Sequence, residues 1–308
     1  MARAMISATG RPVDRGDAGK GGFRLDDWSQ HLRGSAARRQ RRPNFSGLWR
    51  NAGHGMMPAA TLAGRAAITT AVLLPGNMCD ARLWSGGGSM VAAVLAARGF
   101  GAAHAGMLDQ STIADMAAAV LARVPGRLLP IGFSMGGIVA LEMTRQAPER
   151  IAGLVLVDTN AGADLPERSA VRPVQQARVR AGALPTIVAD ELKPTYLAAA
   201  NRGDTALKDL LFDMAMGLGD DVFCAQSEAL RTRADLGPVL DGFADPVLFA
   251  VGAEDALCPP DWHAAMAARC ARATLRVIDG AGHMLPLERP HELAAAIGRW
   301  LDDIGEMP

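Results

Sequence analysis

A chain of 308 residues, 49% of them apolar, is long enough to bury one large core or two smaller ones. Its 32 basic and 32 acidic residues cancel, which argues against a protein that binds nucleic acid as a whole. No apolar run reaches the roughly 18 residues of a membrane span, and Met1 opens no charged-then-apolar signal segment. This composition is typical of a cytoplasmic enzyme.

The first part of the chain differs from the rest in charge. Residues 1–55 carry ten Arg and one Lys against four Asp, an excess of seven positive charges. Because no apolar period is sustained there, this part cannot bury enough surface to offset the entropy of ordering it. We expect residues 1–60 to be a disordered extension, or an upstream start with the working protein beginning near Met56 or Met57. An arm that binds nucleic acid or acidic lipid, or an organelle-targeting segment, is the alternative.

From Ile68 onward, predicted strands alternate with predicted helices. The strands are ITTAVLLPG at 68–76, the weaker GAAHAGML at 101–108, RLLPIGF at 127–133, IAGLVLVDT at 151–159, PVLFAVG at 246–252 and ATLRVID at 273–279. The helices are SMVAAVLAARG at 89–99, TIADMAAAVLARV at 112–124 with Ser111 or Thr112 as its cap, MGGIVALEMTRQ at 135–146, PPDWHAAMAARCA at 259–271 and RPHELAAAIGRWLDDI at 289–304. The alternation predicts one mostly parallel sheet flanked by helices.

One long stretch interrupts this alternation. It contains amphipathic helical segments without a credible strand: PVQQARVRAG, LPTIVADEL, TALKDLLFDMAMG and DVFCAQSEALRTRA. We therefore predict a single α/β domain over residues 61–308, with a helical cap inserted at about 163–236. Arg178, Arg180 or Arg231 of this cap could bind a substrate carboxylate, although such residues more often face solvent.

A GxSxG motif stands between a predicted strand and a predicted helix, with Ser134 between Gly132 and Gly136. A serine on a tight strand-to-helix turn leaves no room for side chains two positions away, which explains the glycines. The motif alone is common in a chain with 34 glycines and also fits a solvated turn. Its position between strand and helix favours a nucleophilic Ser134.

A serine nucleophile needs a histidine base. Among the six histidines, His31 and His54 fall in the basic extension, and His104 lies in the weak strand before the serine. His263 and His291 lie in or at the start of helices, where a histidine is usually a surface residue. His283 follows the strand ATLRVID in a glycine-flanked loop, the place where an open α/β sheet puts its chemistry. We predict that His283 is the base.

The base in turn needs a carboxylate, expected between the serine and the histidine in this chain order. Asp255 follows the strand PVLFAVG directly and is our candidate. Glu254 beside it and Asp245 before the strand are rivals. Adjacent loop residues point in different directions, so only one of Glu254 and Asp255 can face the imidazole.

Three passages resemble the α/β-hydrolase superfamily, in particular its branch of esterases, enol-lactone hydrolases and carrier-protein methyl ester esterases. They are LLPGNMCDARLW at 73–84, GFSMGGIVALE at 132–142 and GAGHMLPLERP at 280–290. The resemblance implies an oxyanion hole made by the backbone N–H groups of Asn77 and Met135. Pro75 stands where many members have histidine, and no convincing strand pair precedes Ile68, although members usually carry a hairpin there.

The resemblance implies a serine hydrolase that cleaves a small carboxylic ester, thioester or lactone through an acyl-enzyme. The same residues also serve C–C bond hydrolysis, elimination or acyl transfer, and a non-catalytic ligand-binding protein on this scaffold is a further alternative. No metal or organic cofactor is expected. Cys79, Cys224, Cys258 and Cys270 form no CxxC pair and no metal-ligand spacing with histidine, which fits buried thiols in a reducing compartment. The oligomeric state is not specified by these patterns.

Overall fold

A computed structural model describes residues 69–106, 108–192 and 196–305, except for the side chains of residues 86–89. The predicted basic extension at 1–60 lies outside the described residues. So does the segment before Ile68, where the usual hairpin of the family would stand.

Six described strands form one sheet in which all neighbouring strands are parallel. Their order across the sheet is β2-β1-β3-β4-β5-β6. The strands are β1 Thr70–Leu74, β2 Gly101–His104, β3 Leu128–Phe133, β4 Leu154–Val157, β5 Val247–Gly252 and β6 Ala273–Ile278. Each predicted strand is present, and the predicted α/β fold class is confirmed.

Helices flank the sheet and fill the connections. They are α1 Arg82–Ala96, α2 Ile113–Arg123, α3 Met135–Gln146, α4 Pro166–Arg178, α5 Leu184–Thr186, α6 Thr205–Arg231, α7 Gly237–Gly242, α8 Pro260–Ala267, α9 Leu285–Glu288 and α10 Pro290–Ile304. Thr112, one of the two predicted caps, caps α2. Its hydroxyl accepts the Asp115 N–H at 3.0 Å. Helix α1 begins at Arg82 rather than Ser89, because the Asp80 carboxylate accepts the Arg82 N–H at 2.9 Å.

Both faces of the sheet are covered by apolar side chains. Ala71 and Leu73 pack in one core cluster with residues of α1 and α10, including Trp300. Their neighbours Val72 and Leu74 point the other way, into a second cluster with residues of α2 and α3. This alternation explains why the strands are apolar nearly throughout instead of at every second residue.

Between β4 and β5, the described residues of the predicted cap, 163–192 and 196–236, contain helices and no strand. Two of the predicted helical stretches are joined in the single element α6. Its backbone leaves helical geometry at Gly219, with φ 84° and ψ −176°. None of the helices in the described ranges has the length and hydropathy that a membrane crossing needs.

The parallel sheet brings the carboxyl ends of all its strands to one edge. The segments that follow β1, β3, β4, β5 and β6 begin there, and they carry Asn77, Ser134, Asp158, Asp255 and His283 respectively. Residues as far apart along the chain as Asn77 and His283 therefore meet at this edge.

Candidate active site

Ser134 occupies a strained turn between β3 and α3, with φ 51° and ψ −117°. A Cβ atom at Gly132 would lie 2.3 Å from the Gly136 carbonyl oxygen, and one at Gly136 would lie 2.3 Å from that of Leu74. Side chains at either position would therefore displace backbone. The turn is held by a 2.9 Å hydrogen bond from the Ser134 N–H to the Val157 carbonyl. The glycine spacing of the motif is thus a packing requirement of this turn.

His283 lies beside Ser134, in a segment between β6 and α9 that we call the histidine loop, residues 279–284. Its Nε2 is 3.0 Å from Ser134 Oγ, and its Nδ1 is 2.9 Å from Asp255 Oδ2. The His283 N–H donates to the Tyr196 carbonyl at 2.7 Å, and the Tyr196 ring meets the imidazole edge-on with centroids 5.4 Å apart. The imidazole is 2% exposed, so its position is fixed from several sides.

Asp255 is buried after β5 and faces the imidazole. Its second oxygen, Oδ1, accepts the N–H groups of Leu257 at 2.8 Å and Cys258 at 2.9 Å. Burial alone would raise the pKa of Asp255. The interaction with His283 and the hydrogen bond from its ring N–H, together with the two backbone donors, outweigh burial and hold the pKa of Asp255 below its usual value. The carboxyl is therefore ionised beside the imidazole.

The two rival carboxylates lie elsewhere. The Glu254 side chain is turned to the exposed side, where it accepts the Ala199 N–H at 2.8 Å. Asp245 precedes β5, at the amino end of the strand and hence the opposite edge of the sheet. Of the three acidic candidates, the structure places Asp255 against His283.

Asn77 and Met135 line the same cavity as Ser134. The loop that carries Asn77 approaches the serine closely, since a Cβ atom at Gly76 would lie 3.2 Å from the Ser134 Cβ. Met135 is the first residue of α3, so its N–H belongs to the positive end of that helix. The two residues whose backbone N–H groups the family resemblance implies as oxyanion donors thus line the same cavity as the serine.

Gln226 of the cap holds this loop and was not found from the sequence. Its Oε1 accepts Asn77 Nδ2 at 3.0 Å and the Met78 N–H at 2.8 Å. Its Nε2 donates to the Leu108 carbonyl at 2.7 Å. Met78 itself has a left-handed backbone with φ 52°, which the glutamine stabilises. A glutamine within an amphipathic helix gives no local signal for such a contact.

Asp158, directly after β4, is a second residue missed from the sequence. It is fully buried, has φ 46°, and accepts the N–H groups of Gly252 at 2.9 Å and Leu285 at 3.1 Å. It therefore ties the end of β5 to the residues that follow His283. Burial and the nearby charge of Asp255 raise the pKa of Asp158 well above its usual value. Its place at a strand end, in VDT, was the available signal.

Glu288 is a third such residue, in the motif GAGHMLPLERP. Its Oε1 accepts the N–H groups of Gly282 and Met284 at 2.8 and 3.2 Å. Its Oε2 accepts the Ala198 N–H and Asn201 Nδ2, both at 2.8 Å. One carboxylate thus joins the histidine loop to the cap segment 196–201.

The prediction that His263 is a surface residue is wrong. Its side chain is fully buried, with Nε2 accepting the Thr159 N–H at 3.0 Å and Nδ1 3.3 Å from the Pro259 carbonyl. Burial lowers the pKa of His263 to about 4, so its ring is neutral. The solvent-facing position expected for a helical histidine is overridden here, because α8 packs against β5 and β6.

A cavity of about 430 Å³ opens above Ser134, between the strand ends and the cap. This volume is in the range of small-molecule sites, about 300–1,000 Å³. Leu192, one of the apolar cap residues, lines it, whereas Leu211 and Met214 pack in the core. The cavity is therefore large enough for a small organic molecule.

The arginines at this cavity differ from those predicted. Arg178 binds Glu191 and Arg231 binds Glu228. Neither arginine lines the cavity, and neither does Arg180. The arginines that line it are Arg168, Arg172 and Arg233.

In the described part of the chain, one group of side chains is close enough to hold a metal ion. It consists of Asp255, Cys258 and His283, whose ligand atoms lie within 4.8 Å of one another. Asp255 and His283 are hydrogen-bonded to each other, and burial raises the pKa of the Cys258 thiol to about 12. These contacts favour a hydrogen-bonded arrangement over ligation.

The sequence matches the family model described as the alpha/beta hydrolase family over residues 71–296. It is 29% identical over 197 residues to a pimeloyl-[acyl-carrier protein] methyl ester esterase of Edwardsiella ictaluri, a match covering 62% of this chain and 76% of the esterase. It is 24% identical over 237 residues to the biotin biosynthesis bifunctional protein BioHC of Cellvibrio japonicus. That match covers 73% of this chain, which spans only 46% of the longer relative.

Among solved structures, a thermophilic esterase from Thermogutta terrifontis is similar, with a TM-score of 0.69 and 26% identity. The match covers 78% of this chain and 93% of the esterase. The matched part of this chain is large enough to include the six-stranded parallel sheet and its flanking helices. The chain therefore belongs to the alpha/beta hydrolase family, and it is a hydrolase with esterases among its relatives.

Proposed function

We propose that this hydrolase is a serine esterase that cleaves a small carboxylic ester, thioester or lactone through an acyl-enzyme. The observation that carries the proposal is the chain of hydrogen bonds from Ser134 Oγ through His283 to Asp255, 3.0 and 2.9 Å long, at the wall of a cavity. Nucleophile, base and orienting carboxylate stand in the order that acyl transfer requires.

In the first half of the reaction, Ser134 Oγ attacks the carbonyl carbon while His283 Nε2 takes its proton. The carbonyl electron pair moves onto oxygen, and the N–H groups of Asn77 and Met135 stabilise the resulting anion. When the carbonyl re-forms, the alcohol or thiol leaves with the proton from His283. Asp255 remains ionised and stabilises the imidazolium between these steps.

In the second half, water attacks the acyl-enzyme. His283 takes one proton from the water as its oxygen bonds to the carbonyl carbon, and the same two N–H groups hold the oxyanion. Collapse breaks the bond to Ser134, whose oxygen regains the proton and releases the acid. These steps need neither a metal ion nor an organic cofactor.

We also propose that residues 61–308 act as one hydrolase domain whose cap, 163–236, encloses the substrate. The cap residues Leu192 and Arg168 on the cavity wall support this assignment. A cytoplasmic location and a disordered extension at 1–60 remain predictions from the sequence. Cell fractionation would test the location.

The proposal is tested with p-nitrophenyl esters of increasing acyl length and with a fluorophosphonate that labels activated serines. We expect turnover to fall beyond short chains, because the cavity is about 430 Å³. Ser134→Ala should lower kcat by about 10⁴-fold or more and abolish labelling. Ser85→Ala removes an exposed serine of α1 and should change neither. Unlabelled wild-type protein without ester turnover would contradict the proposal.

The same side chains also serve C–C bond hydrolysis, elimination and acyl transfer. β-Diketone and thioester substrates assayed beside the esters separate these reactions, since fluorophosphonate labelling does not. If the protein binds a ligand without catalysis, we expect saturable binding but no turnover of the esters, β-diketones or thioesters.

A further inference from the structure

We propose that the substrate carries a second, ionised carboxylate, and that Arg168 binds it at the cap side of the cavity. This inference rests on the proposed esterase function and narrows it to half-esters or lactones of short dicarboxylic acids. The ion pairs of the cavity wall support it.

Arg168 is the cavity arginine that lacks a carboxylate partner among the described residues. It stands in the first turn of α4, half-buried, and its Nη2 makes one long hydrogen bond of 3.3 Å to the Leu257 carbonyl. A guanidinium offers five N–H donors in a fork that matches a carboxylate. Most of this capacity is available to a bound molecule.

The other two cavity arginines are already engaged. Asp164, whose side chain is 1% exposed, accepts Arg172 Nε at 2.6 Å and Arg233 Nη1 at 2.8 Å. Because one carboxylate faces two guanidinium groups, this buried cluster keeps a net positive charge. It therefore adds to the attraction of an anion toward Arg168.

Among the described residues, the charges of the cavity wall favour a singly charged group. Arg168, Arg172 and Arg233 stand against Asp164 and Glu167, which leaves one positive charge, while Glu191 is paired with Arg178 outside the cavity. A single excess charge suits a carboxylate better than a phosphate dianion. Glu167 is exposed and neighbours Arg168 on the helix, so it points about 100° away around the axis.

Arg168 lies close to the reacting end of the cavity. Its Nη2 donates to the Leu257 carbonyl at 3.3 Å, and the Leu257 N–H donates to Asp255 Oδ1 at 2.8 Å. Cys258 also lines the cavity, three residues after Asp255. In a cavity of about 430 Å³, a short chain can therefore place an ester carbonyl at Ser134 and its carboxylate at Arg168.

The test compares monomethyl esters of succinate, glutarate and adipate with the corresponding dimethyl esters. We expect wild-type protein to prefer the half-esters in kcat/KM. Arg168→Gln should reduce this preference by about 10- to 100-fold, mainly through a higher KM for half-esters, because a charge-assisted pair is lost. Arg168→Lys should restore part of it.

Arg180→Gln is the matched control, since it removes an exposed arginine of the same cap that does not line the cavity. It should leave both KM values unchanged. This inference alone would be overturned if wild type and Arg168→Gln showed the same preference for half-esters over dimethyl esters. In that case neutral esters would still be hydrolysed, and Ser134→Ala would be inactive. Failure of wild-type protein to hydrolyse any ester would instead overturn the esterase proposal.

Discussion

His263 is an unusual side chain for the inside of a protein, because it is ionisable, fully buried and paired with no carboxylate in the described hydrogen bonds. Its neutral ring accepts the N–H of Thr159, which follows Asp158 and whose hydroxyl donates to the Ser134 carbonyl. Burial lowers the pKa of His263 to about 4, so protonating the ring in the folded state is unfavourable.

This makes the stability of the protein depend on pH. Since the folded pKa of His263, about 4, lies below its ordinary 6.5, the unfolded chain takes up the proton first as the pH falls. The histidine contribution is intact above pH 6.5 and lost between 6.5 and about 4, up to about 3 kcal/mol in all. Urea unfolding at several pH values in this window measures it.

His263→Gln should flatten this part of the pH dependence, because an amide oxygen can accept the Thr159 N–H without titrating. Other buried acids, such as Asp158, are present in both proteins. Their effect on the pH dependence therefore cancels when the unfolding free energies of wild type and His263→Gln are compared. His291→Gln, on an exposed histidine, should keep the wild-type slope. Equal slopes for wild type and His263→Gln would contradict the prediction.

The sequence predicted the residues of the hydrogen-bonded chain but misplaced His263. Ser134, Asp255 and His283 each follow a strand, and strand ends are recognisable from apolar runs and glycines. Burial of a histidine within α8 depends on which strands the helix packs against. No local pattern carries that information.

At the scale of elements, α6 shows how a helix continues through an irregular residue. Gly219 has φ 84° and ψ −176°, a conformation that L-amino acids with a Cβ scarcely adopt, and an added Cβ would meet no atom within 4 Å. Backbone strain is therefore the sole obstacle to a side chain there. Gly217, two residues earlier and exposed, is helical, with Arg82 Nη2 3.7 Å from such a Cβ.

These two glycines should respond oppositely to the same substitution. Gly219→Ala should lower the free energy of unfolding by about 1–3 kcal/mol, the cost of forcing a side chain into that backbone region. Gly217→Ala should raise it by up to about 1 kcal/mol, because alanine loses less entropy in a helix. Urea unfolding of both variants measures these free energies. A higher free energy of unfolding for Gly219→Ala than for wild type would refute the prediction.

The elements were largely predictable, apart from their ends and joints. The strands appeared as apolar runs. The cap was predicted to contain two separate helical stretches where α6 is one helix, with its irregular residue Gly219 between them. Helix α1 was predicted too short; its second turn contains three glycines, Gly86 to Gly88, which local propensity disfavours in a helix. Contacts with the rest of the protein decide where a helix begins and whether two helical stretches join.

At the scale of the whole molecule, Glu288 connects the cap to the sheet edge. It accepts four hydrogen bonds, two from the histidine loop and two from segment 196–201. Glu288→Gln replaces one acceptor oxygen with an NH₂ group that faces donors. We expect the free energy of unfolding to drop by about 1–3 kcal/mol and the amides of Gly282 and Ala198 to exchange hydrogen faster.

Glu254→Gln is the matched control for this prediction. Glu254 accepts a single backbone N–H, from Ala199 of the same segment, and its side chain is exposed. Its substitution should change stability by well under about 1 kcal/mol. Unaltered exchange at Gly282 and Ala198 in Glu288→Gln would show that the carboxylate does not couple the two parts.

Such long-range links could not be predicted from the sequence. Gln226 reaches Asn77 and Met78 across about 150 positions, and Glu288 reaches Ala198 across 90. Each is one polar residue in an ordinary helix or loop. For the same reason, Arg168 did not stand out from the other arginines of the cap, because its partners and its cavity exist only in the folded chain.

Met78, Ser134 and Asp158 share a left-handed backbone, with φ of 52°, 51° and 46°, and they follow the neighbouring strands β1, β3 and β4. Each such residue costs about 1–3 kcal/mol relative to a relaxed backbone. Natural selection for stability and selection for activity therefore act in opposite directions at this edge. Under the proposed mechanism, a descendant released from its reaction would be free to accept glycine in place of Ser134 and relieve that strain, whereas a working enzyme keeps it for as long as it is selected to react. Met78 and Asp158 keep their side chains in either case, because the first is buried in the core and the second accepts two backbone N–H groups.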